Sequence, residues 1–313
     1  MRAQTTSACI ATALFCYCGV ARAQDTPPQS KVCELGQAGS FDLTTGPEGM
    51  VFLNGSVEGH SGKFVVDTGG FGTLLSFSTA THLGGGPQQG PMGVRLVGGI
   101  DLRYGIWARD FKIGSFKFPA SWFVIGPDRF FSSNAIGNIQ PHSLWPNYDT
   151  EIDFWKGKLN LFLTSQCPGR EVYWTHDPYA AVPMTVNADG HITVQAYLDG
   201  KPINALIDTG SQKSFLSLKA ASHIFNIDEK TPGMVNRGQV DINGLVQAKR
   251  YHYPFRSLTF EGISIASPDI EINDAGNDFR GDEIILGIGV LRQLHLFIAY
   301  DENKLYLTAA EAH

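Results

Sequence analysis

The sequence predicts an all-β fold made of two related halves, on three observations. The motif Asp-Thr-Gly occurs twice, at residues 67–69 and 208–210, each time directly after a short apolar run (Phe64-Val65-Val66 and Ala205-Leu206-Ile207). Glycine is abundant, at 35 residues in 313, and Val, Ile, Phe and Tyr recur in short runs, the mix of strands joined by tight turns. Further landmarks follow the two motifs in the same order, which marks an internal duplication.

The duplication is read from spacing. The two aspartates are 141 positions apart, Ala135-Ile136-Gly137 answers Ile285-Leu286-Gly287 with 150 positions between the glycines, and Lys158-Leu159 answers Lys304-Leu305. After each glycine comes a segment with room for one helical turn, then an apolar strand (residues 151–154 and 296–300), a turn and a last strand (156–162 and 302–307). One Asp-Thr-Gly is weak evidence; two arise by chance on the order of once in a few hundred chains of this length. Pro168, Gly169 and Pro178 interrupt the pattern and mark the seam. The domain reading is therefore a leader at 1–23, an arm at 24–44, an N-terminal lobe at 45–166, a linker at 167–178 and a C-terminal lobe at 179–313.

Within each half a hairpin is expected before the motif. Residues 50–56 and 62–66 form the first; 191–198 and 202–207 form the second, across Asp199-Gly200. Residues 217–225 are the best helix candidate, and it is short.

Composition bounds the rest. Apolar residues make up 43%, enough for a sizeable core. The net charge of -6, with no block of Lys or Arg, makes nucleic acid a poor partner. Residues 1–23 read as an export signal: Arg2, an uncharged and mostly apolar stretch over 8–20, and the small-x-small pattern Ala21-Arg22-Ala23. The alternative is a buried first helix, and the polar run at 24–31 favours export. No later run is long enough to span a membrane as a helix. Once the leader is removed, Cys33 and Cys167 remain. In an oxidising compartment they form a disulfide rather than two free thiols, worth about 4–5 kcal/mol by the chain-entropy account. The nine histidines are scattered and no Cys or His spacing suggests zinc, so no metal and no cofactor is expected. His82, His142, His191 and His295 are read as packing or surface residues, and the five tryptophans mainly as core.

Asp67 and Asp208 carry the chemistry. A carboxylate at the end of a buried strand is costly unless its oxygens are hydrogen-bonded. The glycine two positions on allows a sharp turn and brings an amide to the carboxylate. If the halves pack about a pseudo-twofold axis, the carboxylates become neighbours that share one proton and titrate as a pair. One then acts as base on a water and the other as acid toward a substrate carbonyl.

Asp67-Thr68-Gly69, Asp208-Thr209-Gly210-Ser211, Ala135-Ile136-Gly137 and Ile285-Leu286-Gly287 resemble the motifs of retropepsin and pepsin aspartic peptidases, over roughly residues 45–310. The likeness is to bacterial retropepsin-like proteins with two lobes fused in one chain. It implies a bilobal acid-protease fold, interlocking threonines at Thr68 and Thr209, supporting hydroxyls at Thr73 and Ser214, and Gly137 and Gly287 in the strands that close a ψ-shaped loop. It also implies a β-hairpin flap within 94–104 with Gly98 and Gly99 at its tip; a second hairpin is read at 240–251 around Asn243-Gly244, the alternative being two ordinary exposed hairpins. The chain departs from the pattern at Gly70, where Ser or Ala is usual, and at Ala135-Ile136-Gly137-Asn138. Gly70 has no hydroxyl for the carboxylate, which makes the two aspartates inequivalent.

The expected function is aspartic endopeptidase, exported to the periplasm or beyond, acting as a monomer on peptides or unfolded protein. The alternatives are a non-hydrolytic peptide-binding or scaffolding module, which Gly70 favours, and a hydrolase of a non-peptide amide or ester.

Overall fold

A computed structural model describes residues 33–46, 49–84, 86–96, 100–131, 135–164, 167, 169–242, 246–274 and 284–310. The leader at 1–23 lies outside them. Glu34–His313 forms one compact unit. Cys33 and Cys167 are disulfide-bonded, the pairing expected from the sequence.

Among the described residues the chain builds a ten-stranded and a fifteen-stranded sheet, with a few helices of four to eight residues. The local signals behave as their chemistry requires. The hairpin Ile192–Leu198 with Lys201–Ile207 turns at Asp199 and Gly200, with φ of 48° and 77°, the left-handed pair of a type I′ turn. The first hairpin, Val51–Val57 with His60–Val66, makes the same turn at Glu58 and Gly59, φ 47° and 79°. Glu58-Gly59 stands at the same spacing from its aspartate as Asp199-Gly200 does, a repeat landmark that Glu in place of Asp hides. Along Ile192–Leu198 buried and more open residues alternate, as a half-covered strand must. Leu218–Phe225 is the helix expected at 217–225; Ser217 caps it by accepting from Ala220 N.

The halves share the insertion of one strand between two others. In the first, the parallel pair His60–Val66 and Ala135–Ile139 is completed by Thr73–Ser76, antiparallel to Ala135–Ile139. In the second, Lys201–Ile207 and Ile284–Leu286 run parallel, and Ser214–Ser217 is antiparallel to Ile284–Leu286. Each half therefore passes one late strand between the two strands that flank its Asp-Thr-Gly.

The pairings correct the alignment of the repeats. Gly137 faces Phe64 and Leu75; the residue in that place in the second half, facing Ala205 and Leu216, is Ile284. Asn138 thus corresponds to Ile285, Ile139 to Leu286 and Gln140 to Gly287. Gly137 and Gly287, matched by the 150 spacing, are not equivalent. Gly137 answers a local demand of its own, since a Cβ there would run into Leu74 O.

A strand of the first half is zipped to the second: Tyr148–Asp153 pairs with Leu294–Ala299. Buried polar groups cluster there. Glu151 accepts from His295 Nε2 (2.8 Å), Asn160 Nδ2 (2.5 Å) and Tyr173 OH (2.9 Å), and the His295 ring stacks on Trp174 at 3.9 Å. His295 is therefore the hydrogen-bond partner of a buried carboxyl group rather than simple packing. Trp145 is core as expected, whereas Trp107 and Trp155 are exposed.

Asp149, in the same strand, accepts from Tyr300 N at 2.9 Å, and burial with nearby Asp301 and Glu302 pushes its carboxyl up to about 7. Because the folded value lies above the unfolded one, the native state holds a proton that the unfolded chain has already released. Stability is then intact below the ordinary carboxylate range and falls as pH rises toward 7. Asp149→Asn, which keeps the acceptor and removes the charge, is expected to leave the melting temperature unchanged at acid pH. Above neutrality it should stabilise by about 1–2 kcal/mol, after allowance for solvent reaching part of the site. Melting curves at the two pH values check this.

Candidate active site

The two Asp-Thr-Gly loops meet, and each is held by the other. Thr68 Oγ1 donates to Ile207 O (2.7 Å) and accepts from Thr209 N (3.0 Å); Thr209 Oγ1 donates to Val66 O (2.7 Å) and accepts from Thr68 N (3.1 Å). Both threonines are fully buried. Four backbone groups, Val66 O, Thr68 N, Ile207 O and Thr209 N, are paired in this way across the seam between the halves.

This grip brings the aspartates together. Each loop starts where its strand hands off, with Asp67 N donating to Ile139 O (2.9 Å) and Asp208 N to Leu286 O (3.0 Å). A Cβ on Gly69 would fall on the Asp208 carboxyl group, and one on Gly210 would fall on that of Asp67. Each glycine is therefore the floor beneath the opposite carboxylate, a need beyond the sharp turn inferred from sequence. Gly210→Ala is expected to force the carboxylates apart and to cost about 1–3 kcal/mol, the usual penalty of an overpacked site, as urea unfolding would measure.

Backbone amides converge on both acids: Gly69 and Gly70 on Asp67, Gly210 (2.9 Å) and Ser211 on Asp208. Burial raises the Asp67 carboxyl above its ordinary range. Burial, and then the charge of Asp67, push Asp208 well above it. Like charges this close do not ionise together, so the second proton leaves with difficulty.

The supporting residues lie around the loops with different duties. Ser214 Oγ accepts from Gly287 N (3.0 Å), tying the inserted strand to the loop. Thr73 Oγ1 donates to Trp122 O (3.1 Å). Ser211 Oγ donates to Lys213 O (2.8 Å) and not to a carboxylate. Gly287 sits where a Cβ would strike Lys213 O.

Two side chains here escaped sequence reasoning. Asn138 donates from Nδ2 to Asp67 Oδ2 at 2.9 Å. Gln140, also buried, donates from Nε2 to Gly190 O (2.7 Å) and accepts from Ser143 N, tying the first half to a turn of the second. The available signal was polarity: both stand where the other half has Ile285 and Gly287, visible only once the repeats are aligned by strand pairing.

Strands Gln88–Leu96 and Ile100–Ala108 form a hairpin longer than the flap expected at 94–104; its tip, with Gly98 and Gly99, lies outside the described residues. Val235–Ile242 and Val246–His252 form the second hairpin, with Asn243 and Gly244 also outside them. Among the described residues no helix is long and apolar enough to cross a membrane, and no group of three or more His, Cys, Asp or Glu is placed to hold a metal ion.

Residues 194–290 match the aspartyl protease family model. The solved structure of an aspartic proteinase from Irpex lacteus is similar over 87% of this chain and 97% of its own, at 13% identity and a TM-score of 0.54. Basic 7S globulin from soybean covers 88% of this chain and 97% of its own, at 11% identity and a TM-score of 0.49. At such identity the likeness to the Irpex structure is one of fold. No curated protein matches the chain.

Proposed function

We propose that the chain is an exported endopeptidase of the retropepsin/pepsin-like kind in which Asp67 and Asp208 activate the attacking water, a reading supported by the aspartyl protease family match at residues 194–290 and by the aspartic-proteinase fold. The observation that carries this is the reciprocal threonine grip, which holds two buried carboxyl groups side by side, each over the other loop's glycine. A binding surface has no need of two acids made costly by burial and by each other.

An extended peptide lies between the two halves, beneath the hairpin of residues 88–108. Water bound between the acids gives a proton to ionised Asp67 as its oxygen attacks the scissile carbonyl carbon, while Asp208 gives its proton to the carbonyl oxygen. The tetrahedral adduct collapses with cleavage of the C–N bond. Asp67 returns its proton to the leaving nitrogen, and Asp208 recovers one from the hydroxyl. Thr68, Gly69, Thr209 and Gly210 hold this geometry, and Thr73, Ser211, Ser214 and Gly287 brace the loops. Because both acids come from one chain, a monomer suffices.

The test is cleavage of a mixed peptide library by the protein lacking residues 1–23, from roughly pH 3 to 8, where coupled carboxylates titrate. Asp208→Asn serves as control. Cleavage by the wild type alone supports the reading and gives the side-chain preference. No cleavage at any pH by a folded sample overturns it in favour of a binding module or a non-peptide substrate.

A further inference from the structure

The two acids are gripped alike by threonines and backbone amides, yet the side chains around them differ. In the second half, Ser211 turns its hydroxyl to Lys213 O, and Ile285, on the strand beside Asp208's loop, has nothing to donate. In the first half Gly70 replaces the serine and Asn138 replaces the isoleucine. These two differences are linked in space. A Cβ on Gly70 would lie 2.6 Å from Asp67 Oδ2, the same oxygen to which Asn138 Nδ2 donates at 2.9 Å. The carboxylate fills the room that a side chain at position 70 would need, and its hydrogen-bond donor comes from the strand on the other side.

Asn138 is 6% exposed and sits in the parallel ladder opposite Val65. Its orientation follows from the contact: turned over, the amide would press Oδ1 against a carboxylate oxygen, with no proton between them. Its Oδ1 has no partner among the described residues, so the side chain is buried at a cost that packing alone does not repay.

We propose that Asn138 is a positioning residue that makes the acid pair unequal, donating to Asp67 a hydrogen bond that its counterpart Ile285 cannot give Asp208, and so fixing Asp67 as the charged member and Asp208 as the proton carrier. This rests on the reading of Asp67 and Asp208 as a working pair. A hydrogen bond donated to a carboxylate favours its charged form, and a charge on one acid keeps the proton on the other. Burial raises both acids; the bond donated by Asn138 opposes that rise at Asp67, and the charge of Asp67 adds to it at Asp208. The asymmetry gives direction to the reaction, since the base and the acid are assigned before substrate arrives.

The experiment is a carboxyl-carbon NMR titration of protein labelled with ¹³C at the aspartate side-chain carboxyls, with Asp67→Asn and Asp208→Asn assigning the two signals. The wild type is expected to ionise first at Asp67. Asn138→Ile, which copies the equivalent residue of the second half, and Asn138→Ala, which only removes bulk, are each expected to move that first step up by about one pH unit or more, the size of a hydrogen bond to a charged group. A purely structural Asn138 would leave the step where it is. First ionisation at Asp208 in the wild type overturns the proposal, whatever the variants do, as does an unmoved first step in either folded variant. Because the readout needs no substrate, a shifted titration with no peptide cleavage would remove the peptidase reading and leave this one standing. Cleavage with an unshifted titration would do the reverse.

Discussion

Asp67→Asn and Asp208→Asn are each expected to lower kcat for peptide cleavage by about 10³-fold or more, while leaving the protein as stable as the wild type or more so. On the proposed mechanism the two acids act as one unit, so removing either removes the proton relay, and the loss should approach that of the double variant. Stability is spared because both acids already resist ionisation in their buried places. Asparagine has the shape of the protonated form and relieves the repulsion, so at neutral pH the melting temperature should hold or rise. Steady-state kinetics on a library-derived peptide, paired with calorimetry on the same samples, reads both halves of the expectation. Full activity in either variant would sink the shared-proton mechanism. The wild-type profile should be bell-shaped, with its acid limb set by the first ionisation of the pair and its alkaline limb by the second. Both limbs are displaced upward from the ordinary carboxylate range by burial.

The second large effect is on folding. Thr209→Val is expected to cost about 2–6 kcal/mol, because it takes the cross-seam partner from buried Val66 O and Thr68 N, at about 1–3 kcal/mol each. Against a total of about 5–15 kcal/mol for a native protein, that is a large share. Thr209→Ser keeps the hydroxyl and should lose less than about 1 kcal/mol. Urea unfolding of the pair separates the hydrogen bonds from the lost methyl group. Equal loss in both would mean that the hydroxyl is not what holds the loops.

Much of this was legible in the sequence because it depends on near neighbours. Asp-Thr-Gly after an apolar strand, Asp199-Gly200 between two β-rich runs and Ser217 ahead of a short helix are local signals, and each sits where its chemistry placed it. The ladder partners were not legible. Gly137 drew the alignment of the repeats off by three residues, because a glycine after Ala-Ile looks like a glycine after Ile-Leu. Only parallel pairing with His60–Val66 shows that Asn138, not Gly137, stands beside the carboxylate's strand end. Parallel partners are joined through long connections, so no short motif encodes them. For the same reason Gly70 reads as a deficit in the sequence, whereas in the structure it makes room for the Asp67 carboxylate, whose side-chain donor, Asn138, lies 68 residues on. His295 looked like packing because its partner, Glu151, belongs to the other half.

The wiring of the grip also sets a clock. A nascent chain that has not yet reached Thr209 has one acid, one threonine and no partner for either. The strand that zips the first half to the second, Leu294–Ala299, follows Thr209 by about 85 residues. Domains tend to fold in the order they are synthesised. The first half can therefore collapse early and remain chemically silent until the second half supplies Asp208 and the strand Leu294–Ala299 that zips the halves together. On the proposed function, the acid pair is incomplete for as long as the second half is still being made.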